Sequence, residues 1–235
     1  MTLAINTYKI NMLKEVVIVN TDYMLSLIPM FNNAAMLTVQ LTAYGVFYSL
    51  IIGLIGNLIY YYRIPVLTSF VKGYIELSRN TPILAQLFFL FFGLPQLGIV
   101  LSGFVCGVIA LSFLGGSYMI EAFRGGIESV SKTQIETAHS LGLSRTQILL
   151  FVIIPQAIRT SLQSIIANVI FLLRESSLVG FIAVPELMQI ARSEIAMFFR
   201  TDEVLIMLTI YYFLLIAPIS LFFYFLERRL RYGRV

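Results

Sequence analysis

Two short runs of polar residues interrupt apolar stretches, and they are the first candidates for chemistry in this chain. One run comprises Arg174, Glu175, Ser176 and Ser177. Ionisable groups in apolar, membrane-spanning sequence are rare, and they normally pair or line a water-filled route. Both signs of charge with two hydroxyls could offset the desolvation of a zwitterionic ligand. The alternative is an Arg–Glu pair that ends a helix at the membrane edge, and the residues leave both interpretations open.

The second run comprises Arg79, Asn80 and Thr81, and it directly precedes Pro82. An interior proline removes a backbone donor and clashes with the preceding turn, so it predicts a bend. The backbone groups freed at such a bend must be covered by protein or face a water-filled cavity. We therefore predict that these residues lie beside a pathway, with an anchor at the inner membrane edge as the alternative.

Catalytic and metal-binding constellations are not apparent in the sequence. The chain has one histidine, His139, and one cysteine, Cys106, so a metal site of clustered His and Cys ligands has no basis. No nucleophile with a nearby base is recognisable. The G-x4-G-K-[S/T] pattern that binds nucleotide phosphates is absent from the sequence. We expect no cofactor in this chain and no enzymatic activity.

The composition places these runs in a membrane protein. Of 235 residues, 59% are hydrophobic and 12% are charged, with a mean hydropathy of +0.89. Soluble domains have about 25% charged residues. Residues 23–62, 80–120 and 204–226 contain no charge at all. These stretches are apolar on every side, which favours membrane helices over the alternating strands of a barrel.

Five transmembrane helices are predicted. The spans are residues 34–62, 67–92 with a bend at Pro82, a third that follows the turn at 93–98 and ends near 120, 156–175, and 204–226. The predicted all-α chain therefore has an extracytoplasmic segment at 1–33, one transmembrane domain at 34–230, and a basic cytoplasmic tail at 231–235.

The distribution of Lys and Arg predicts the orientation of the helices. Ten lie on one side: Arg63, Lys72, Arg79, Arg124, Lys132, Arg145, Arg228, Arg229, Arg231 and Arg234. Five lie on the other: Lys9, Lys14, Arg174, Arg192 and Arg200, with Arg159 assigned to neither. Because cytoplasmic loops carry the excess of basic residues, we expect the C-terminus inside and the N-terminus outside.

The longest predicted cytoplasmic loop, residues 121–155, contains strong local signals. Two S-x-x-Q patterns, at 131–134 and 144–147, predict capping boxes that begin helices at 132–141 and 145–155. Gly142 predicts a left-handed turn between them. The first helix has Ile135, Ala138 and Leu141 on one stripe and is marginal in isolation. It needs a surface to pack on, either its own protein or a cytoplasmic partner.

This loop carries a resemblance to a known family. Glu136–Gly142 followed by Val152–Pro155 resembles the E-A-A-x3-G-x9-I-x-L-P loop of permease subunits of ABC importers, with Thr137, Val152 and Ile154 as substitutions. Three further stretches resemble the polar amino-acid permeases of the histidine and glutamine type: E-L-x-R-x-T-P through F-G-L-P at 76–95, L-R-E-S-S-L through V-P-E-L at 173–187, and T-V-Q-L-T at 38–42. The resemblance covers about residues 35–230.

The resemblance implies a transport subunit in the inner membrane of a bacterium. Such a subunit forms the translocation path with a second permease subunit, identical or different. It receives its amino acid from an extracytoplasmic solute-binding protein and is driven by two separate ATPase subunits, which bind ATP and magnesium. The helix at 132–141 would be the coupling helix, docking on the ATPase through Glu136, Ala138, Leu141 and Gly142. The alternatives are a channel or carrier subunit outside the ABC family and a membrane enzyme. Which amino acid is moved stays open.

Overall fold

The computed structural model describes residues 19–231, and every element in that range is helical. The predicted segment 1–33 thus falls partly, and the tail 231–235 almost entirely, outside the described residues. The helices are α1 Thr21–Tyr62, α2 Pro65–Asn80, α3 Ile83–Phe88, α4 Gly103–Glu128, α5 Lys132–Ser140, α6 Arg145–Ile148, α7 Ile154–Glu175, α8 Leu187–Phe198 and α9 Thr201–Arg231. Short segments of other helix types adjoin three of them. Phe89–Gly93 after α3 and Leu149–Ile153 between α6 and α7 are π-helical, and Leu94–Leu97 and Ser176–Ile182, which follow α3 and α7, are 3-10 helices.

Four helical segments of the described chain are long and apolar enough to cross a membrane. They are α1, α4, the segment Arg145–Ile182, and Thr201–Arg228 within α9. A fifth span is possible if α2 and the segment Ile83–Leu97 count together, although they are bent by 100°. The five predicted spans fall on these four segments and the bent pair. The bend occurs at Pro82, as predicted, because proline cannot continue the hydrogen bonding of α2.

Helix α1 begins earlier than the predicted span. It starts at Thr21 and runs through Pro29, whereas we expected the span to begin near residue 34. The Oδ1 atom of Asn20 accepts a hydrogen bond from the Tyr23 backbone N–H at 3.0 Å and caps the helix. Leu27 and Phe31 are buried in a cluster shared with α8 and α9. This packing outweighs the cost of the internal proline.

The loop helix predicted at 145–155 and the span predicted at 156–175 are not separate. They form one continuous helical segment with a π-helical turn at Leu149–Ile153. A π turn adds one residue to the helix. The π turn ends at Ile153, one residue before the pair Ile154–Pro155, and the missing N–H and the ring of Pro155 conflict with a regular α-helix.

Small residues bring α1 and α4 into close contact. A Cβ atom at Gly45 would lie 2.9 Å from Leu111 Cβ, and one at Gly53 would lie 2.6 Å from Met119 Cβ. Asn57 further along α1 donates from Nδ2 to the Ile120 carbonyl at 2.8 Å. Lipid tails are as apolar as the helix surfaces, so the hydrophobic effect does not drive helices together in a membrane. Close packing of small residues is an interaction that joins them there. The predicted packing role of Gly45, Ser49 and Gly53 is confirmed, since all three are buried.

The central core lies where α3 and the turn Ser176–Ile182 meet α1, α4 and α7. Ile83 and Leu87 of α3 share this cluster with Val179 and Ile182. Gly107 of α4 allows the approach, because a Cβ atom there would lie 2.7 Å from Val179 Cγ1. The bent segment is therefore held inside the bundle rather than along its outside.

Candidate functional site

Helix α5 ends in a Schellman motif built on Gly142. Gly142 has φ +79°, in the left-handed region that favours glycine. Its N–H donates to the His139 carbonyl at 2.9 Å, and the Leu143 N–H donates to the Ala138 carbonyl at 3.2 Å. These two bonds satisfy carbonyls that the helix end leaves without partners. The predicted glycine turn is confirmed, and it fixes the position of the helix end relative to α6.

The inner face of α5 packs against its own chain. Ala138 is only 4% exposed and belongs to a cluster with Ile148, Leu149, Ile153 and other residues that include Val130 and Ala157. Ile135 and Leu143 pack against the same cluster. The small side chain of Ala138 thus permits close approach to the π-helical turn and α7. Of the two surfaces considered for this helix, its own protein covers this face.

The outer face of α5 remains exposed. Leu141 is 76% exposed at the helix end. Glu136 and Gly142 are also exposed, and Glu136 forms no ion pair with the described chain. Of the four predicted docking residues, three are thus accessible to a partner and Ala138 anchors the helix. A large apolar side chain exposed on a nine-residue polar helix is the feature that most suggests a docking surface.

The two predicted capping boxes differ in the structure. At Ser144 the box forms: the Ser144 N–H donates to Gln147 Oε1 at 2.8 Å, and the Gln147 N–H donates to Ser144 Oγ at 3.3 Å. At Ser131 no side-chain hydrogen bond caps α5, so the box predicted there is wrong. The Gln134 N–H donates instead to the Ser131 carbonyl at 3.1 Å.

The run Arg174–Ser177 lies at the end of α7 and the start of the following turn. Arg174 is exposed, Glu175 is half-buried, and neither forms an ion pair with any residue in 19–231. Ser176 is buried, and its hydroxyl donates a hydrogen bond to the Leu173 carbonyl at 2.7 Å near the end of the helix. The predicted helix end at this position is confirmed, since α7 stops at Glu175.

The run Arg79–Thr81 faces two different spaces. The Arg79 guanidinium donates from Nη2 to the Ser117 carbonyl at 2.9 Å and lies 4.4 Å from the centre of the Tyr118 ring. Arg79 and Asn80 line a cavity of about 560 Å³ with charged neighbours. Thr81 lines a second, largely apolar groove of about 490 Å³. No hydrogen bond, ion pair or ring contact connects this run to Arg174–Ser177 in the described chain.

Gln86 is a candidate site residue that the sequence interpretation did not single out. Its Nε2 atom donates to Thr81 Oγ1 at 2.8 Å and lies 3.1 Å from the Ser78 carbonyl, so the amide is held across the bend at Pro82. Its buried Oε1 atom has no donor among the described residues. Gln86 also lines the apolar groove of Thr81. The sequence feature that could have identified it is a single amide side chain in an apolar run that follows a predicted proline bend.

Glu186 is the second residue that was missed. Its carboxylate is fully buried and accepts from the Met188 and Gln189 backbone N–H groups at 2.9 and 2.8 Å, so it caps the N-terminus of α8. Burial raises the pKa of Glu186 from 4.5 to about 7, against these N–H groups and Arg192, which lower it. The buried hydroxyl of Tyr212 lies near this carboxylate and has no hydrogen bond of good geometry. α8 is also tied to α1, because the Leu187 N–H donates to Thr38 Oγ1 at 3.3 Å.

The chain is similar to known proteins over most of its length. Residues 45–232 match the family described as "Binding-protein-dependent transport system inner membrane component". The chain belongs to this family. Among curated relatives of the family, the probable glutamine ABC transporter permease protein GlnP of Bacillus subtilis (strain 168) is 39% identical over 155 residues, which are 64% of this chain and 71% of the relative. The probable amino-acid ABC transporter permease protein PatM of Vibrio harveyi is 34% identical over 194 residues, 81% of this chain and 87% of the relative.

Solved structures of the same architecture agree with this membership. A chain in the crystal structure of an amino acid ABC transporter with histidines has a TM-score of 0.84 and 32% identity, and the match covers 90% of this chain and 99% of that one. A chain of the MetNI methionine ABC transporter, in an inward-facing conformation, has a TM-score of 0.73 over 87% of this chain and 98% of that one. At 18% identity, the second likeness shows the fold alone.

Family membership confirms the predicted assignment to the permease subunits of binding-protein-dependent importers. The chain is a transport component with several membrane-spanning helices. The alternative of a channel or carrier subunit outside this family is not favoured, and the alternative of a membrane enzyme has no support in the family description.

Proposed function

We propose that this permease imports polar amino acids, of the glutamine and histidine type, across the inner membrane of a bacterium. The names of the two curated relatives and of the first solved neighbour support an amino-acid substrate. The proposed orientation has the C-terminus of α9 in the cytoplasm, because ten of the basic residues assigned to a side lie there and five on the other. Two ATPase subunits, a second permease subunit and a solute-binding protein complete the proposed importer.

The observation that carries the proposed coupling is the two-sided packing of α5. Its exposed face offers Leu141 and Glu136 to an ATPase, and its buried face contacts the cluster that leads into α7. Within that cluster, Ala157 reaches α4, because a Cβ atom at Gly126 would lie 2.6 Å from the Ala157 carbonyl oxygen. A displacement of α5 would therefore be transmitted to two spanning helices. ATP binding to the ATPase subunits would move α5 and shift the bundle between outward- and inward-facing states through these contacts.

The proposed translocation path passes both polar runs. The unpartnered Gln86 Oε1 beside Thr81 is an acceptor for an ammonium or amide group of a passing amino acid. Residues retained as path candidates are Arg79, Asn80, Thr81, Arg174, Glu175, Ser176 and Ser177. Gln86→Leu should raise the KM for import while the amount of assembled transporter stays close to that of wild type. Gln86→Glu should change the ratio of the uptake rates for neutral and cationic amino acids.

Crosslinking tests the docking role of α5. A Leu141→Cys variant carrying a short thiol-reactive crosslinker should capture the ATPase subunit in membranes. Leu97→Cys is the matched control, because Leu97 is 72% exposed and lies in the turn at the opposite end of the bundle. Failure of Leu141→Cys to capture an ATPase in any nucleotide state would contradict the proposed function.

Transport by the assembled importer tests the substrate class. Proteoliposomes that contain the permease, its ATPase and its binding protein should take up labelled glutamine, histidine or arginine only when ATP is enclosed with the ATPase. Uptake of sugars or peptides in place of amino acids would contradict the proposal.

A further inference from the structure

The cavity beside Arg79 also contains Lys72, a cation to which the proposed transport function gives no role. We call it the inner cavity; its volume is about 560 Å³ and it is lined by Tyr60, Lys72, Glu76, Arg79, Glu121 and Arg124, among others. These residues come from the end of α1, from α2 and from the last third of α4. The volume lies within the range of about 300–1,000 Å³ that is usual for small-ligand sites.

Both carboxylates of the inner cavity already have partners. Glu121 accepts from Arg124 Nη2 at 2.7 Å, and Glu76 accepts from Asn80 Nδ2 at 2.9 Å. The cations are less well compensated. The Lys72 ammonium has no hydrogen bond or ion pair with any residue from 19 to 231, and the Arg79 guanidinium has no carboxylate within 4.0 Å. The lining holds three cations and two carboxylates, so the cavity has a net positive charge, which favours an anion.

The shape of α2 places this cavity at a membrane surface. Val66, Phe70 and Leu77 lie on one side of the helix and are 70%, 75% and 58% exposed, while Ile75 and Ser78 on the other side are buried. The segment turns by 100° into Ile83–Leu97. An amphipathic helix at a large angle to its spanning neighbour lies in the interface, with its apolar face among the acyl chains.

The chemistry at that depth identifies the anion. Tyr60 lines the cavity and is followed by Tyr61 and Tyr62 at the end of α1, and tyrosine is enriched at the level of the lipid headgroups. On the cytoplasmic side these headgroups include anionic phospholipids, which attract nearby Lys and Arg. The most abundant anion within reach of Lys72 is thus a lipid phosphate.

We propose that the inner cavity binds the phosphate of an anionic phospholipid from the cytoplasmic leaflet, with Lys72 as its principal cation. The proposal rests on the orientation given under the proposed function. It assigns Lys72 a lipid-binding role in a cavity whose other lining residues include the path candidates Arg79 and Asn80.

Native mass spectrometry of the complete importer tests the site. The complex is released from nanodiscs of phosphatidylethanolamine and phosphatidylglycerol, and retained phosphatidylglycerol is counted. One basic residue near an anionic surface contributes enough to change binding about fivefold. Lys72→Gln should therefore reduce phosphatidylglycerol binding about fivefold, whereas Lys72→Arg should retain it. Arg159→Gln is the matched control, because Arg159 is an exposed cation outside the cavity and should leave retention unchanged.

Three results would overturn the proposal. The first is equal retention in wild type and Lys72→Gln. The second is displacement of the lipid by millimolar inorganic phosphate, which would identify a site for free phosphate instead. The third is crosslinking of Phe70→Cys to the second permease subunit, which would place the apolar face of α2 at a subunit interface. None of these measurements requires transport, so a failure of coupling through α5 would be recognised separately.

Discussion

The buried carboxyl group of Glu186 predicts a specific dependence of permease stability on pH. In the folded protein its pKa is raised from 4.5 to about 7 because the group is removed from solvent. The folded state therefore holds the proton more tightly than the unfolded state. Stability from this group is greatest below pH 4.5, falls as the pH rises from there to about 7, and is constant above that.

The magnitude follows from the size of the shift. Each pKa unit corresponds to about 1.4 kcal/mol, so the change from 4.5 to about 7 amounts to about 3 kcal/mol across that interval. For a chain of this length, about 1 kcal/mol moves the melting temperature by about 2–4 °C. The melting temperature should fall by about 6–12 °C from this group alone.

Thermal unfolding of the purified permease in detergent, at intervals from pH 4.5 to pH 8, measures the effect. Glu186→Gln removes the titration and keeps a side-chain acceptor for the α8 amides. The melting temperature of wild type minus that of Glu186→Gln should fall by about 6–12 °C as the pH rises through this interval. Glu136→Gln, at an exposed carboxylate, should show no such trend. A wild-type minus Glu186→Gln difference that stays flat across the interval would refute the reasoning.

Three further predictions, two of them with a control substitution, follow from the backbone and packing of the described chain. Gly142→Ala should cost about 1–2 kcal/mol, because φ is +79° there, and should weaken co-purification of the ATPase; chemical denaturation and pull-down measure the two effects. Gly53→Ala should destabilise by about 1–3 kcal/mol through overpacking against α4, whereas Gly73→Ala, with open space around it, should be neutral or stabilising in the same melting assay. Ser144→Ala should lower the free energy of unfolding by about 1 kcal/mol through loss of its cap, while Ser131→Ala should have little effect; a larger loss at Ser131 would contradict the observed capping.

The spanning helices were predictable because lipid excludes charge. The uncharged stretches at 23–62, 80–120 and 204–226 each contain or flank an observed helix, and Pro82 marks the observed bend. Their ends were harder to predict. Pro29 and the neighbouring asparagines suggested that α1 starts after them, but burial of Phe31 against other helices continues the helix to Thr21. That contact joins residues far apart in sequence.

The candidate site was predictable where local backbone chemistry controls it. The glycine at position 142, after the end of a predicted helix, indicated the left-handed conformation that is observed. The apolar stripe through Ala138 indicated that the helix packs on a surface, but it did not identify that surface. Glu186 and Gln86 were missed for the same reason. Each is a single polar residue in a non-periodic stretch, and only the fold shows that its side chain is buried or lacks a donor.

The contact between α1 and α4 restricts how this chain can change in length. One residue removed between Gly53 and Asn57 would rotate the rest of α1 by about 100° relative to α4. The Asn57 amide would then point away from the Ile120 carbonyl, and Tyr60 would leave the inner cavity. Insertions and deletions can be accepted at connections such as the turn after Gly98, where a Cβ atom would meet nothing within 4 Å. Homologous chains should therefore differ in length between their helices and share one helical phase from Gly45 to Asn57.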